Sequence, residues 1–153
     1  MKTLILKSVM LLFVMATISS CSNDDDKGGN INANGFTFQE QSHPTEAAFY
    51  LETSGNTSIS LTADNAEDNQ ILFLFNQTDY ADISGNYTYK SYEDEDFNPE
   101  VNFGDITFYL GDEIYQDFTQ GNLSISKSAG KIVIEYSFSG PSGSVEGSYN
   151  GSI

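Results

Sequence analysis

The chain holds one cysteine, one histidine, three prolines, no tryptophan and no arginine in 153 residues. Each scarcity closes a class of function. A lone thiol forms no internal disulfide, so any folded part stands on packing alone. One thiol and one imidazole are too few for the Cys and His sets of zinc sites. Nucleophilic catalysis needs an activated hydroxyl or thiol beside a base. The single imidazole, His43, precedes Pro44 in a stretch that reads as a turn, and no serine lies in a G-x-S-x-G elbow. No P-loop or G-x-G-x-x-G run is present. Positive charge is scarce too: six lysines face 22 acidic residues, for a formal net charge of −16. Such a chain repels phosphate backbones and anionic headgroups, which excludes nucleic acid as a partner. A carboxylate pair suited to glycoside hydrolysis carries no weight here, because so many acids place some pair at the right separation by chance. The expectation is a non-enzymatic protein without cofactor.

Long hydrophobic runs are confined to the start. Met1-Lys2-Thr3-Leu4-Ile5-Leu6-Lys7 is basic, an apolar run extends from Val9 through Ile18, and small residues follow. This is the layout of a signal peptide over residues 1–20, with an apolar core too short for a permanent span. Ile18, Ser19, Ser20 and Cys21 then resemble the lipobox of bacterial lipoproteins, an aliphatic and two small residues before the cysteine. The resemblance implies diacylglycerol on the Cys21 thiol, cleavage before Cys21 and acylation of the new amine. Two or three chains anchor durably, since each buried methylene adds roughly 0.8 kcal/mol. Ser22, Asn23, Asp24, Asp25 and Asp26 resemble the short acidic export signal of surface-displayed Gram-negative lipoproteins. That resemblance implies an outer-membrane address on the cell surface. Residues 21–34 thus form the lipidated cysteine and an acidic tether ending in a small, polar, flexible linker.

The remainder, 35–153, fits one domain able to bury its own core. Apolar residues recur at every second position, the period of a strand. Ile132, Ile134, Tyr136 and Phe138 share one face of 131–139. Ile71, Phe73 and Phe75 share one face of 70–76 with Leu72 and Leu74 on the other, which predicts a central strand covered on both sides. Val145, Gly147, Tyr149, Gly151 and Ile153 line up in 144–152, where the glycines relieve crowding or permit bending. Turn signals at Ser54-Gly55-Asn56, Ser84-Gly85-Asn86, Gly121-Asn122, Ala129-Gly130 and Gly140-Pro141-Ser142-Gly143 separate the runs. The reading is all-β. An antiparallel meander of about nine or ten strands (near 35–40, 46–53, 57–63, 70–76, 86–92, 101–110, 113–118, 121–127, 131–139 and 144–152) forms a sandwich or partly closed barrel.

The C-terminal stretch, Gly121 to Lys127, Lys131 to Phe138 and Val145 to Gly151, resembles the ending of small all-β surface lipoproteins of unknown function. In those a three-strand meander closes on a G-x-Y-x-G-like strand. The resemblance implies architecture and transfers no catalytic residue.

Two features offer candidate sites. Tyr80, Tyr87, Tyr89 and Tyr92 cluster in sequence, and aromatic faces near Asn and Asp stack on sugar rings; the competing reading is cross-strand packing. Two oxygen-rich loops, one with Asp64, Glu67 and Asp68 and one with Glu93, Asp94, Glu95 and Asp96, supply calcium-type ligands without the D-x-[DN]-x-[DN]-G spacing. The functional expectation is a lipid-anchored binding or interaction domain of the outer membrane. Its alternatives are a glycan- or small-molecule-binding sandwich or barrel and a calcium-dependent adhesion module.

Overall fold

The computed structural model describes residues 34–63, 69–76 and 78–153. The signal peptide, Cys21 and its lipobox, the acidic export segment, and Asp64, Glu67 and Asp68 lie outside the described residues.

Twelve strands among the described residues make two sheets. They are β1 (Gly35–Phe38), β2 (Gln41–Pro44), β3 (Ala47–Thr53), β4 (Asn56–Thr62), β5 (Asn69–Phe75), β6 (Gly85–Tyr89), β7 (Asn102–Phe103), β8 (Asp105–Leu110), β9 (Glu113–Tyr115), β10 (Gln120–Ser128), β11 (Lys131–Gly140) and β12 (Gly143–Gly151). One sheet runs β2-β1-β12-β11-β10-β6-β7 and the other β3-β4-β5-β8-β9. The architecture is a two-sheet sandwich, not a closed barrel. Among the described residues the one helical element is a 3-10 turn at Tyr80–Asp82. The meander holds through β3-β4-β5 and through β10-β11-β12. β1-β2 and β8-β9 are further hairpins; between these units the chain changes sheets, β1 returns against β12, and β7 lies parallel to β6.

Alternation decides what lies inside. Ile59 and Leu61 of β4, Ile71, Phe73 and Phe75 of β5, and Ile106 and Phe108 of β8 point from the five-stranded sheet into the core. Leu123, Ile125, Ile132, Ile134, Tyr136, Phe138, Val145 and Tyr149 meet them from the other sheet. Each such side chain contributes roughly 1.5–3 kcal/mol by leaving water. The sheets lock through edge-to-face rings: Phe73 meets Tyr136 at 5.3 Å and Phe138 at 5.9 Å, and Phe108 meets Phe38 at 5.0 Å. Glycines make room for the tyrosines. A Cβ on Gly147 would stand 2.6 Å from the Tyr136 hydroxyl and 2.5 Å from the Gly35 carbonyl oxygen. One on Gly151 would stand 2.4 Å from the Tyr149 hydroxyl.

Several sequence expectations change. Gln41–Pro44 is a strand rather than a turn, and His43 stacks on Phe36 at 4.8 Å across the β1–β2 hairpin. Its turn is Gln39-Glu40 with φ of 49° and 65°, a two-residue reversal that neither residue type advertises. The expected strand 101–110 breaks at Gly104 into β7 and β8, one in each sheet. A Cβ at Gly104 would stand 2.2 Å from Asn76 Oδ1, and its N–H donates to Leu74 O at 2.9 Å, so the corner requires glycine. Gly121 lies inside β10 rather than in a turn, tucked against Phe138. Gly85 opens β6, and the strand expected over 86–92 ends at Tyr89. β5 is central in its sheet, but Leu72 and Leu74 are only half-buried: no second layer covers that face among the described residues.

Candidate functional site

The four tyrosines disperse. Tyr87 and Tyr89 share the inward face of β6, where Tyr87 packs edge-on against Phe75 at 5.1 Å and Tyr89 against Phe103 at 5.7 Å. Tyr80 stacks flat on Tyr50 at 3.8 Å, and the Lys127 ammonium lies 4.3 Å from its ring centroid. Lys127 Nζ also donates to the Tyr80 carbonyl and, at 2.9 Å, to that of Ala81. This knot ties the 3-10 turn to both sheets. Tyr92 is exposed in the loop after β6. Cross-strand and inter-sheet packing therefore accounts for Tyr80 and Tyr89, and the four form no common aromatic platform.

Glu93, Asp94, Glu95 and Asp96 are exposed in the same loop. Asp96 pairs with Lys90 at 2.5 Å, and that hydrogen bond holds its carboxyl below the usual range. Among the described residues no three His, Cys, Asp or Glu converge as a metal shell requires.

Two other features stand out, and the sequence reading named neither. The first is the outer face of the five-stranded sheet. β3 is a free edge, and on it Phe49 is 58% and Leu51 65% exposed. Register places Phe49 opposite Ser60, itself opposite Leu72; Leu51 lies opposite Ser58, itself opposite Leu74. Two apolar walls thus flank a floor of short serines. Ile114, 60% exposed on β9, stands opposite Tyr109, while Thr107 and Asp105 of β8 are the neighbours of Leu72 and Leu74. The run Ala47 to Leu51 is apolar at five successive positions, which alternation does not explain and which was the available signal.

The second is a cleft of about 530 Å³ at one rim of the sandwich, beside the β3–β4 turn at Ser54 and Gly55. Asp79, just before the 3-10 turn, and Asp82, its last residue, line it with Glu100 and Tyr87. Two loops are pinned together at its wall: the buried Thr57 hydroxyl donates to Thr78 O at 2.8 Å, and the Thr78 hydroxyl reaches Pro99 O at 3.5 Å. The Glu100 N–H donates to Asn98 Oδ1 at 3.0 Å. Of the expected tyrosines, Tyr87 alone faces this cleft. Burial, and then the Asp82 carboxylate, push its phenol above the usual range, so it stays a neutral hydroxyl.

No protein-family model matches the chain, and neither the curated proteins nor the solved structures yield a match. No helix among the described residues is long and apolar enough to cross a membrane.

Proposed function

We propose that this chain is a non-enzymatic binding module, held by lipid on Cys21 at the surface of a bacterial outer membrane. It engages its partner through the outer face of the five-stranded sheet. One observation carries the binding half of this reading: Phe49 and Leu51 stand largely in water on a strand whose outer edge pairs with nothing among the described residues. Proteins seldom leave contiguous apolar surface or a long apolar edge strand uncovered unless it is used. The anchoring half is supported by the sequence Ile18-Ser19-Ser20-Cys21, which puts the only thiol where a lipobox has it. The absence of a nucleophile–base pairing in the sequence supports binding over catalysis.

Two measurements test the halves separately. Cells fed a tagged fatty acid incorporate it into the wild-type chain and not into Cys21→Ala; labelling of both, or of neither, sinks the anchor. A photo-crosslinking amino acid at position 51 gives a discrete adduct on intact cells, while one at Ser126, on the other sheet, does not. Equal adducts, or none, sink the docking face.

A further inference from the structure

We infer that β3 pairs antiparallel with the β3 of a second copy of this chain, joining two five-stranded sheets about a twofold axis at Tyr50. The inference rests on the docking reading above and names the partner of that face.

The strand edges are the first argument. Among the described residues the two sheets end in four edge strands: β2, β7 and β9, of four, two and three residues, and β3, of seven. An edge strand presents a row of unpaired backbone N–H and C=O groups, which another strand satisfies. Proteins guard such edges by keeping them short or by placing proline or lysine on them. Three edges here are short, and β2 also ends in Pro44. β3 holds no proline, glycine or lysine and carries Phe49, Tyr50 and Leu51 at its middle. Tyr50, on the opposite side of the strand from Phe49 and Leu51, is 45% exposed as well, so the edge is open from both faces. An apolar face alone calls for any apolar surface; an open backbone edge calls for a strand.

Register and charge select a second copy as that strand. A twofold axis perpendicular to the sheet makes the pairing antiparallel and keeps the outward faces of both copies on one side. Centred on Tyr50, it pairs the whole strand: Ala47 meets Thr53, Ala48 meets Glu52, Phe49 meets Leu51, and Tyr50 meets its own counterpart. Phe49 and Leu51 thus gain apolar neighbours at two symmetric places, at the close spacing of directly opposite residues. Glu52 is the one charged residue of β3, and it falls opposite Ala48, so no like charges stand face to face. Slipping by one residue turns the apolar sides apart, and slipping further pairs fewer residues. The formal net charge of −16 makes whole copies repel at long range, and physiological salt screens that repulsion beyond about 8 Å.

The test uses intact cells carrying two full-length copies with different epitope tags, one of them with a photo-crosslinking amino acid at position 51. Illumination gives an adduct bearing both tags, and mass spectrometry places the bond on β3 of the other copy, at or beside Phe49. Tyr50→Lys in both copies sets like charges face to face and lowers the yield about tenfold or more, and Tyr50→Glu in both does the same. One copy with Tyr50→Lys and one with Tyr50→Glu restores the yield to within about threefold of wild type. A folding defect does not give that pattern, because the mixed pair contains both variants. An adduct with some other protein leaves the docking face standing and overturns this inference, as does a two-tag adduct bonded outside β3. A mixed pair as weak as its parents overturns it too, and no adduct at all removes both readings.

Discussion

The outer face of the seven-stranded sheet presents Asn86 and Thr88, then Asn122 and Ser124, then Glu135 and Ser137, then Glu146 and Ser148, strand by strand. The outer face of the five-stranded sheet presents Phe49 and Leu51, then Ser58 and Ser60, then Leu72 and Leu74. Both sheets close on one core, so the core does not explain the contrast. A sheet facing water needs only short polar groups on its outside. Phe49 and Leu51, 58% and 65% exposed, bury little surface there and so add little to folding. The difference teaches that outward residues on a sandwich report what each face meets. One face is polar at these positions; the other leaves Phe49 and Leu51 in water, which is what the proposed docking face rests on.

The comparison can be broken from inside or at the surface. The largest effect comes from the core both faces rest on. Phe73→Ala empties the ring cluster joining the sheets and lowers stability by about 3–5 kcal/mol in urea unfolding. Next is the packing particular to the larger sheet. Gly147→Ala drives a methyl against the Tyr136 ring and the Gly35 carbonyl, neither of which can swing aside, and costs about 1–3 kcal/mol by the same measurement. The sharpest test of the contrast involves little stability. Phe49→Ser/Leu51→Ser changes unfolding free energy by less than about 1 kcal/mol but shortens retention on a hydrophobic-interaction column; Asn122→Ala/Ser124→Ala does not shorten it. Equal behaviour of the two double variants would erase the distinction between the faces.

The smallest effect is a pH dependence at the sheet edge. Burial against Phe36 holds the His43 imidazole below its ordinary value of 6.5, so the folded chain binds fewer protons than the unfolded one. This group's contribution is therefore complete above about pH 6.5 and is lost as pH falls through that value toward the lower folded one. Thermal melts from pH 8 to 5 should decline less for His43→Phe, which keeps the stack and does not titrate.

What could be read in advance followed from alternation. Ile132 to Phe138 and Ile71 to Phe75 announced their strands and inward faces, because period-two burial writes itself directly into sequence. β2 was illegible: Gln41, Ser42, His43 and Pro44 alternate in nothing, and their strand exists only because β1 offers a partner. The break at Gly104 was hidden for a related reason, since leaving one sheet for another is a tertiary event with no local period. Leu72 and Leu74 misled instructively. A run apolar on both faces predicts two covering layers, and the fold supplies one. The cleft was unreadable because Asp79, Asp82, Glu100 and Tyr87 are joined by loop packing rather than by a spacing, although Tyr87 had been singled out.

Asn34 brackets the far end of the domain: its Oδ1 accepts the Asn150 N–H at 2.7 Å, and its Nδ2 donates to the Asn150 carbonyl at 3.2 Å. β1 begins one residue later, flanked by β2 on one side and β12 on the other. Tension arriving along β1 from the N-terminal side meets hydrogen bonds lying across its direction, so those of both flanks share the load in shear instead of parting singly. The mooring proposed for that end would load these bonds together.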